Sequence, residues 1–174
     1  MRSLFMVCIL TLGLGADALI LPKHFKASFT QMVTNPKKKV LRYSGKIVFS
    51  KPSLAKWSYT SPTKKEVCSN RDILTVVDHD LEQVSQYHID KAFNLENILR
   101  KAKLHSKNIY VSHYKNKNYT IQVDSKKHLQ SIAYFDDLDN KVQIVLKNVN
   151  YAKGSAGKKE VTCTIPKDYD MIRG

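Results

Sequence analysis

Val40-Leu41-Arg42-Tyr43-Ser44-Gly45-Lys46-Ile47-Val48-Phe49-Ser50 changes character at almost every step. Leu41, Tyr43, Gly45, Ile47 and Phe49 share one side of an extended chain, and Arg42, Ser44, Lys46 and Ser50 share the other. A period of two is the mark of a strand with one buried face. Lys51-Pro52-Ser53 breaks the pattern, and a second strand over 56–60 places Trp57 and Tyr59 on one face. Ser61-Pro62-Thr63 turns the chain. Short strands are predicted over 66–69, 73–77 and 83–89, with turns at Asn70-Arg71-Asp72 and Asp78-His79-Asp80 between them. Further strands are expected over 109–114, 119–124, 129–135, 142–150 and 160–165. Many short strands with tight connections predict one large antiparallel sheet, strongly curled or nearly closed.

Two stretches depart from the period of two. Phe25, Phe29, Met32 and Val33 recur at helical spacing and predict an amphipathic helix over 22–34, ended by Asn35-Pro36. Leu95, Ile98, Leu99 and Ala102 recur at i, i+3, i+4 and i+7 behind Asn94, a candidate N-cap. This second helix, over 95–103, stands alone among strands, so its apolar face needs a sheet face to cover. The fold class is therefore mainly β (α+β), with an N-terminal helix and a short lone helix.

The first residues read as a leader. Arg2 precedes an apolar run from Leu4 to Gly15, and Ala16-Asp17-Ala18 supplies small residues for cleavage. The run is too short for a membrane span, which needs about 20 residues. Cys8 lies inside the apolar run and is not a lipid-anchor cysteine. The expectation is a signal peptide over 1–18 and a single domain over 19–174.

The 174-residue chain has 29 Lys and Arg against 15 Asp and Glu, a net charge of +14. Such a balance suits a solvated surface, an anionic membrane or partner, or a nucleic acid. The basic residues are scattered, as in Lys37-Lys38-Lys39, Lys64-Lys65, Lys126-Lys127 and Lys158-Lys159. Arginine is scarce, and base and phosphate recognition favours it. A nucleic-acid role therefore ranks last.

Catalytic and metal sets are not found. The six histidines have no metal-ligand spacing, and Asp136-Asp137 with Asp139 lacks the glycine and glutamate of a calcium loop. No nucleophile elbow, phosphate loop or dinucleotide fingerprint occurs. The reading is not an enzyme, with no cofactor and no metal. A β shell with a lone amphipathic helix points to a container. Ile47, Phe49, Trp57 and Tyr59 either fill its interior or line a site for an apolar ligand. Cys68 and Cys163 remain after cleavage. They are either a bridge, adding roughly 4–5 kcal/mol on the chain-entropy model, or two buried small residues.

Several stretches resemble the LolA family, periplasmic carriers of lipoproteins between the two membranes of Gram-negative bacteria. Phe25-Lys26-Ala27-Ser28-Phe29-Thr30-Gln31 is similar to the family's opening helix. Gly45 to Pro52, followed by Trp57 and Tyr59, is similar to a second family stretch. Val161-Thr162-Cys163-Thr164-Ile165-Pro166 resembles its last strand. The resemblance implies an incomplete antiparallel β-barrel under a helical lid, with acyl chains buried between them. It implies a monomeric periplasmic chaperone that makes transient contact with membranes. An inner-membrane ABC transporter would load it, and an outer-membrane acceptor could unload it. Leu95, Ile98 and Leu99 would form the lid, with Ile47, Phe49, Trp57 and Tyr59 as cavity wall. Where well-known members carry an arginine that holds the lid shut, this chain has Lys51, which becomes the candidate tether. Ala55 replaces a frequent aromatic, and Asn70-Arg71 replaces the usual Asp-Gly turn. The alternatives are a lipid-sensing or acceptor domain of the same fold, or a basic secreted nucleic-acid binder.

Overall fold

The computed structural model describes residues 19, 22–88, 94–152 and 154–173. The expected leader, residues 1–18, lies outside them. The Val40–Ser50 stretch is strand β2: Ile47 and Phe49 are buried while Lys46 is exposed, but the alternation fails at its ends, where Leu41 is 59% exposed and Ser50 is buried. Around it lie β1 (His24–Thr34), β3 (Leu54–Ser61), β4 (Lys65–Asn70), β5 (Ile73–Asp78) and β6 (Gln83–His88). Helix α1 (Leu95–Arg100) follows, then β7 (Lys103–Ser106), β8 (Ile109–Tyr114), β9 (Lys117–Val123), β10 (Leu129–Phe135) and β11 (Lys141–Ala152). The chain ends with α2 (Lys158–Val161) and β12 (Asp170–Arg173).

The twelve strands of the described residues form one sheet in the order β12-β6-β5-β4-β3-β2-β1-β11-β10-β9-β8-β7. Neighbours run antiparallel except β12, which pairs parallel with β6. The sheet is two meanders, β1 to β6 and β7 to β11, joined where β1 pairs with β11. It is unclosed, with β12 and β7 as its edges. Its concave face carries the core: Phe25, Ala27 and Phe29 of β1, Ile47 and Phe49 of β2, Ala55 and Trp57 of β3, and Val142, Ile144 and Leu146 of β11. Gly45 has no room for a side chain, because a Cβ there would sit 2.1 Å from the Ser58 carbonyl oxygen and 2.9 Å from the Phe29 ring.

Three expectations are corrected. The predicted N-terminal helix over 22–34 is strand β1, paired on both sides. Phe25, Phe29 and Val33 fit a period of four, but a period of two contains the same positions. Ala27, buried at 6% exposure, completes the strand face. The helix expected over 95–103 is shorter, and Lys103 already belongs to β7. The expected last strand over 160–165 begins instead as the single turn α2, where the Glu160 carboxylate accepts the Gly157 N–H at 3.1 Å. Val161, Cys163 and Ile165 do alternate, yet they lie across the back of the sheet and extend no ladder. The final strand is β12.

The back of the sheet is covered by this C-terminal strap. Cys163 is bonded to Cys68 of β4, with Cα atoms 5.7 Å apart. The Thr164 N–H donates to the Glu66 carboxylate at 2.8 Å, and the Lys56 ammonium pairs with Glu66 and donates to the Thr162 carbonyl. Lys26 pairs with Glu160.

Candidate functional site

The concave face is roofed by α1. Asn94 caps the helix, accepting the Asn97 N–H through its side chain at 3.0 Å. Glu96 in the first turn and Arg100 in the last suit the helix dipole. Leu95, Ile98 and Leu99 point into the sheet and are no more than 4% exposed. The three residues expected to form a lid thus share one face, against the sheet.

A cavity of about 130 Å³ remains under the roof. Its walls include Trp57, Tyr59, Val67, Leu74, Ile144 and Leu95 of the roof itself. Of the four expected wall residues, Trp57 and Tyr59 face it. Ile47 and Phe49 lie on the same sheet face, each 1% exposed, and pack as core beside it. Phe49 stacks on Phe25 with ring centroids 5.3 Å apart. Phe29 meets Trp57 and Tyr59 edge-on at 5.1 and 5.0 Å, which fixes the wall.

Polar groups at the cavity are few and neutral. The Tyr59 hydroxyl donates to Gln31 Oε1 at 2.8 Å. Burial, with a smaller contribution from the neighbouring Tyr43, pushes the Tyr59 phenol up to about 12. Burial also raises the Tyr134 phenol, with Tyr119 adding to it. Both phenols therefore stay protonated across the physiological range. The chamber offers an acyl chain apolar walls and no charge, and its polar groups are the neutral side chains of Gln31, Tyr59, Ser69 and Tyr134.

The roof is also tied at its first turn. The Glu96 carboxylate accepts both the backbone N–H and the hydroxyl of Ser53, the latter at 2.8 Å. Lys51, the candidate tether, stands two residues earlier. Among the described residues its ammonium makes no hydrogen bond or ion pair to the helix, and its backbone N–H bonds the Lys23 carbonyl at 2.9 Å. Sequence reading missed the Ser53–Glu96 contact, which joins distant residues with no shared motif. It also missed Val67, Leu74 and Ile144, although the ladder register that carries Trp57 across to Val67 places them on the same face.

Among the described residues one cluster of potential metal ligands forms, Glu66 with Cys68 and Cys163. Its two sulfurs are bonded to each other, which leaves no thiolate for a metal.

Comparison with known proteins agrees with this architecture. A carrier protein of Campylobacter jejuni, described as an outer-membrane lipoprotein carrier protein, is 40% identical over 149 residues, which cover 86% of each chain. One of the same description from Helicobacter hepaticus is 29% identical, covering 86% of this chain and 83% of its own. Among solved structures, a conserved protein from Thermus thermophilus superposes with a TM-score of 0.56 at 7% identity, covering 88% of this chain and 92% of its own. A LolA superfamily protein from Nitrosomonas europaea gives 0.50 at 10% identity, covering 85% and 94%. These two likenesses concern the fold alone. The family model described as outer membrane lipoprotein carrier protein LolA matches residues 22–158, and with the Campylobacter relative it shows that this chain belongs to the LolA family.

Proposed function

We propose that this protein is a periplasmic chaperone that takes up lipoproteins leaving the inner membrane, shields their acyl chains and hands them to the outer membrane. The observation that carries the reading is the roofed, uncharged chamber of a LolA-family chain. Its volume, about 130 Å³, is well below the roughly 300–1,000 Å³ of ordinary ligand sites. In this reading the structure is the empty, closed state, and cargo enters when α1 lifts away. Each methylene that leaves water contributes about 0.8 kcal/mol, so two or three acyl chains bind tightly. Release needs a competitor, and the apolar face of α1 is one: Leu95, Ile98 and Leu99 re-cover the wall as the chains leave.

The finer parts of the reading rest on the resemblance to the family and on the site residues described above. The domain spans 19–174 after removal of the leader, works as a monomer and catalyses no reaction. An inner-membrane ABC transporter loads it, and an outer-membrane protein or the membrane itself receives the cargo. Trp57 and Tyr59 line the acyl site, with Ile47 and Phe49 joining them once α1 lifts. Lys51, two residues before Ser53 in sequence, is the cation proposed to help tether the lid.

Native mass spectrometry on protein purified from a periplasm tests the proposal. The expected result is a 1:1 adduct that dissociates to a triacylated lipoprotein. Only unliganded protein, even after incubation with lipoprotein-loaded spheroplasts, would overturn it.

A further inference from the structure

The charge of this protein is unevenly placed. From Asn97 to Val123 the chain has six Lys or Arg residues and two histidines, and no Asp or Glu. This stretch is the end of α1 and strands β7, β8 and β9. It folds into an open groove of about 610 Å³ beside the roof helix, lined by Arg100, Lys101, Lys103, Leu104, His105 and His113. Leu104 is 42% exposed among these cations. At the other end of the strand order, Asp78, Asp80, Glu82 and Asp168 gather near the Tyr169 hydroxyl, with Lys64 and Lys65 beside Asp80 and Asp78.

We propose that the β7–β8 groove is a docking surface for the anionic headgroups of a lipid bilayer, which seats the molecule with its roof helix beside the membrane. A wide, acid-free trough with an exposed leucine suits several headgroups and the edge of the acyl layer better than one small anion. An acidic protein strand adding to β7 fits less well. That strand is only four residues long, carries Lys103, and its pairing with β8 slips between Leu104 and Ser106, features that discourage strand addition. Among the described residues no helix is long and apolar enough to cross a membrane. Arg100 and Lys101 close α1, so headgroups held there touch the element that must move for cargo to pass.

The inference builds on the carrier reading but is tested without cargo, so either can fail alone. Exported protein is sedimented with phosphatidylcholine vesicles, with and without about a third phosphatidylglycerol. Three charges are removed in the groove (Arg100→Gln, Lys101→Gln, Lys103→Gln) or, for comparison, in the β1–β2 turn (Lys37→Gln, Lys38→Gln, Lys39→Gln). At low salt the expected result is binding to the anionic vesicles alone. The groove variant loses it by roughly 100-fold, on the usual contribution of each basic residue near a charged surface. The turn variant loses less than about threefold, and about 0.5 M salt abolishes binding. Leu104→Trp gives a second readout: the new indole's emission shifts to the blue on anionic vesicles. Equal losses in the two triple variants, equal binding to neutral vesicles, or tighter binding to polyglutamate than to vesicles would each overturn the proposal.

Discussion

The two faces of this sheet are covered in different ways. On the back, the strap from Gly154 onward is fastened by a covalent bond, a parallel strand on β6, and the Lys56–Glu66–Thr164 contacts. On the concave side, α1 rests on three buried apolar side chains and one polar tie to Ser53. A covering fixed at several points holds the shape of the wall. A covering held mainly by burial can be displaced by something else apolar, which is what a carrier of acyl chains needs. Four experiments bear on this contrast, from the largest expected effect to the smallest.

Cys68→Ala with Cys163→Ala should lower the unfolding free energy by roughly 4–5 kcal/mol, because the bridge spans 95 residues. Denaturant titration reads the loss, and lipoprotein loading should persist in the folded fraction. A loss under about 1 kcal/mol would mean that the strap is held by its strand pairing and not by the bond. Next, Leu99→Glu places a carboxylate where the native side chain is 2% exposed. Closing α1 then costs about 3–5 kcal/mol more. Hydrogen exchange should show α1 unprotected over an intact sheet, and loading should be blocked. Unchanged loading and release would end the assignment of α1 as a lid.

The third test uses pH. The neutral phenol of Tyr59 is favoured in the folded state, so stability is complete below the ordinary tyrosine value near 10. It is lost as pH rises through about 12, where the folded protein at last gives up the proton. The Tyr59 phenol alone should lower the unfolding free energy by about 2–3 kcal/mol across this window, Tyr134 adds to the fall in the same direction, and Tyr59→Phe with Tyr134→Phe should remove most of it. A slope unchanged in that double variant would place the alkaline sensitivity elsewhere than on the roofed side. The smallest effect concerns the tie. Ser53→Ala removes one hydroxyl–carboxylate bond and costs the closed state about 1–2 kcal/mol. Because the closed, empty state competes with ligand, a fluorescent fatty acid should bind up to about tenfold more tightly. Unaltered affinity would show that the hydroxyl bond adds nothing to the hold on α1, leaving burial and the Ser53 backbone N–H.

The parts of this molecule that the sequence made legible are those with a local period. Ile47 and Phe49 with Lys46 between them read as a half-buried strand, and Leu95, Ile98 and Leu99 behind Asn94 as a short amphipathic helix needing cover. Phe25, Phe29 and Val33 were ambiguous because multiples of four are also multiples of two. The choice between helix and strand was settled by pairing with β11, whose residues lie far along the chain. Val161, Cys163 and Ile165 alternate like a strand but have only the back of the sheet to lie on. In the site, Trp57 and Tyr59 were legible as one apolar face. The Gln31–Tyr59 and Ser53–Glu96 bonds were not, since each joins residues whose own neighbourhoods give no hint of the other.

The junction between β1 and β11 has a consequence for the order in which the molecule can assemble. Strands β1 to β6 form a meander of neighbours, and so do β7 to β11, but Phe29 has to wait for Leu146 before the halves become one sheet. Pairing so distant in sequence closes a long loop and is slow to nucleate. An emerging N-terminal half would therefore present the open flank of β1 with nothing to pair it. Such a chain remains unfinished until nearly all of it has appeared, so its N-terminal half must stay unpaired on that flank for as long as the rest is being made.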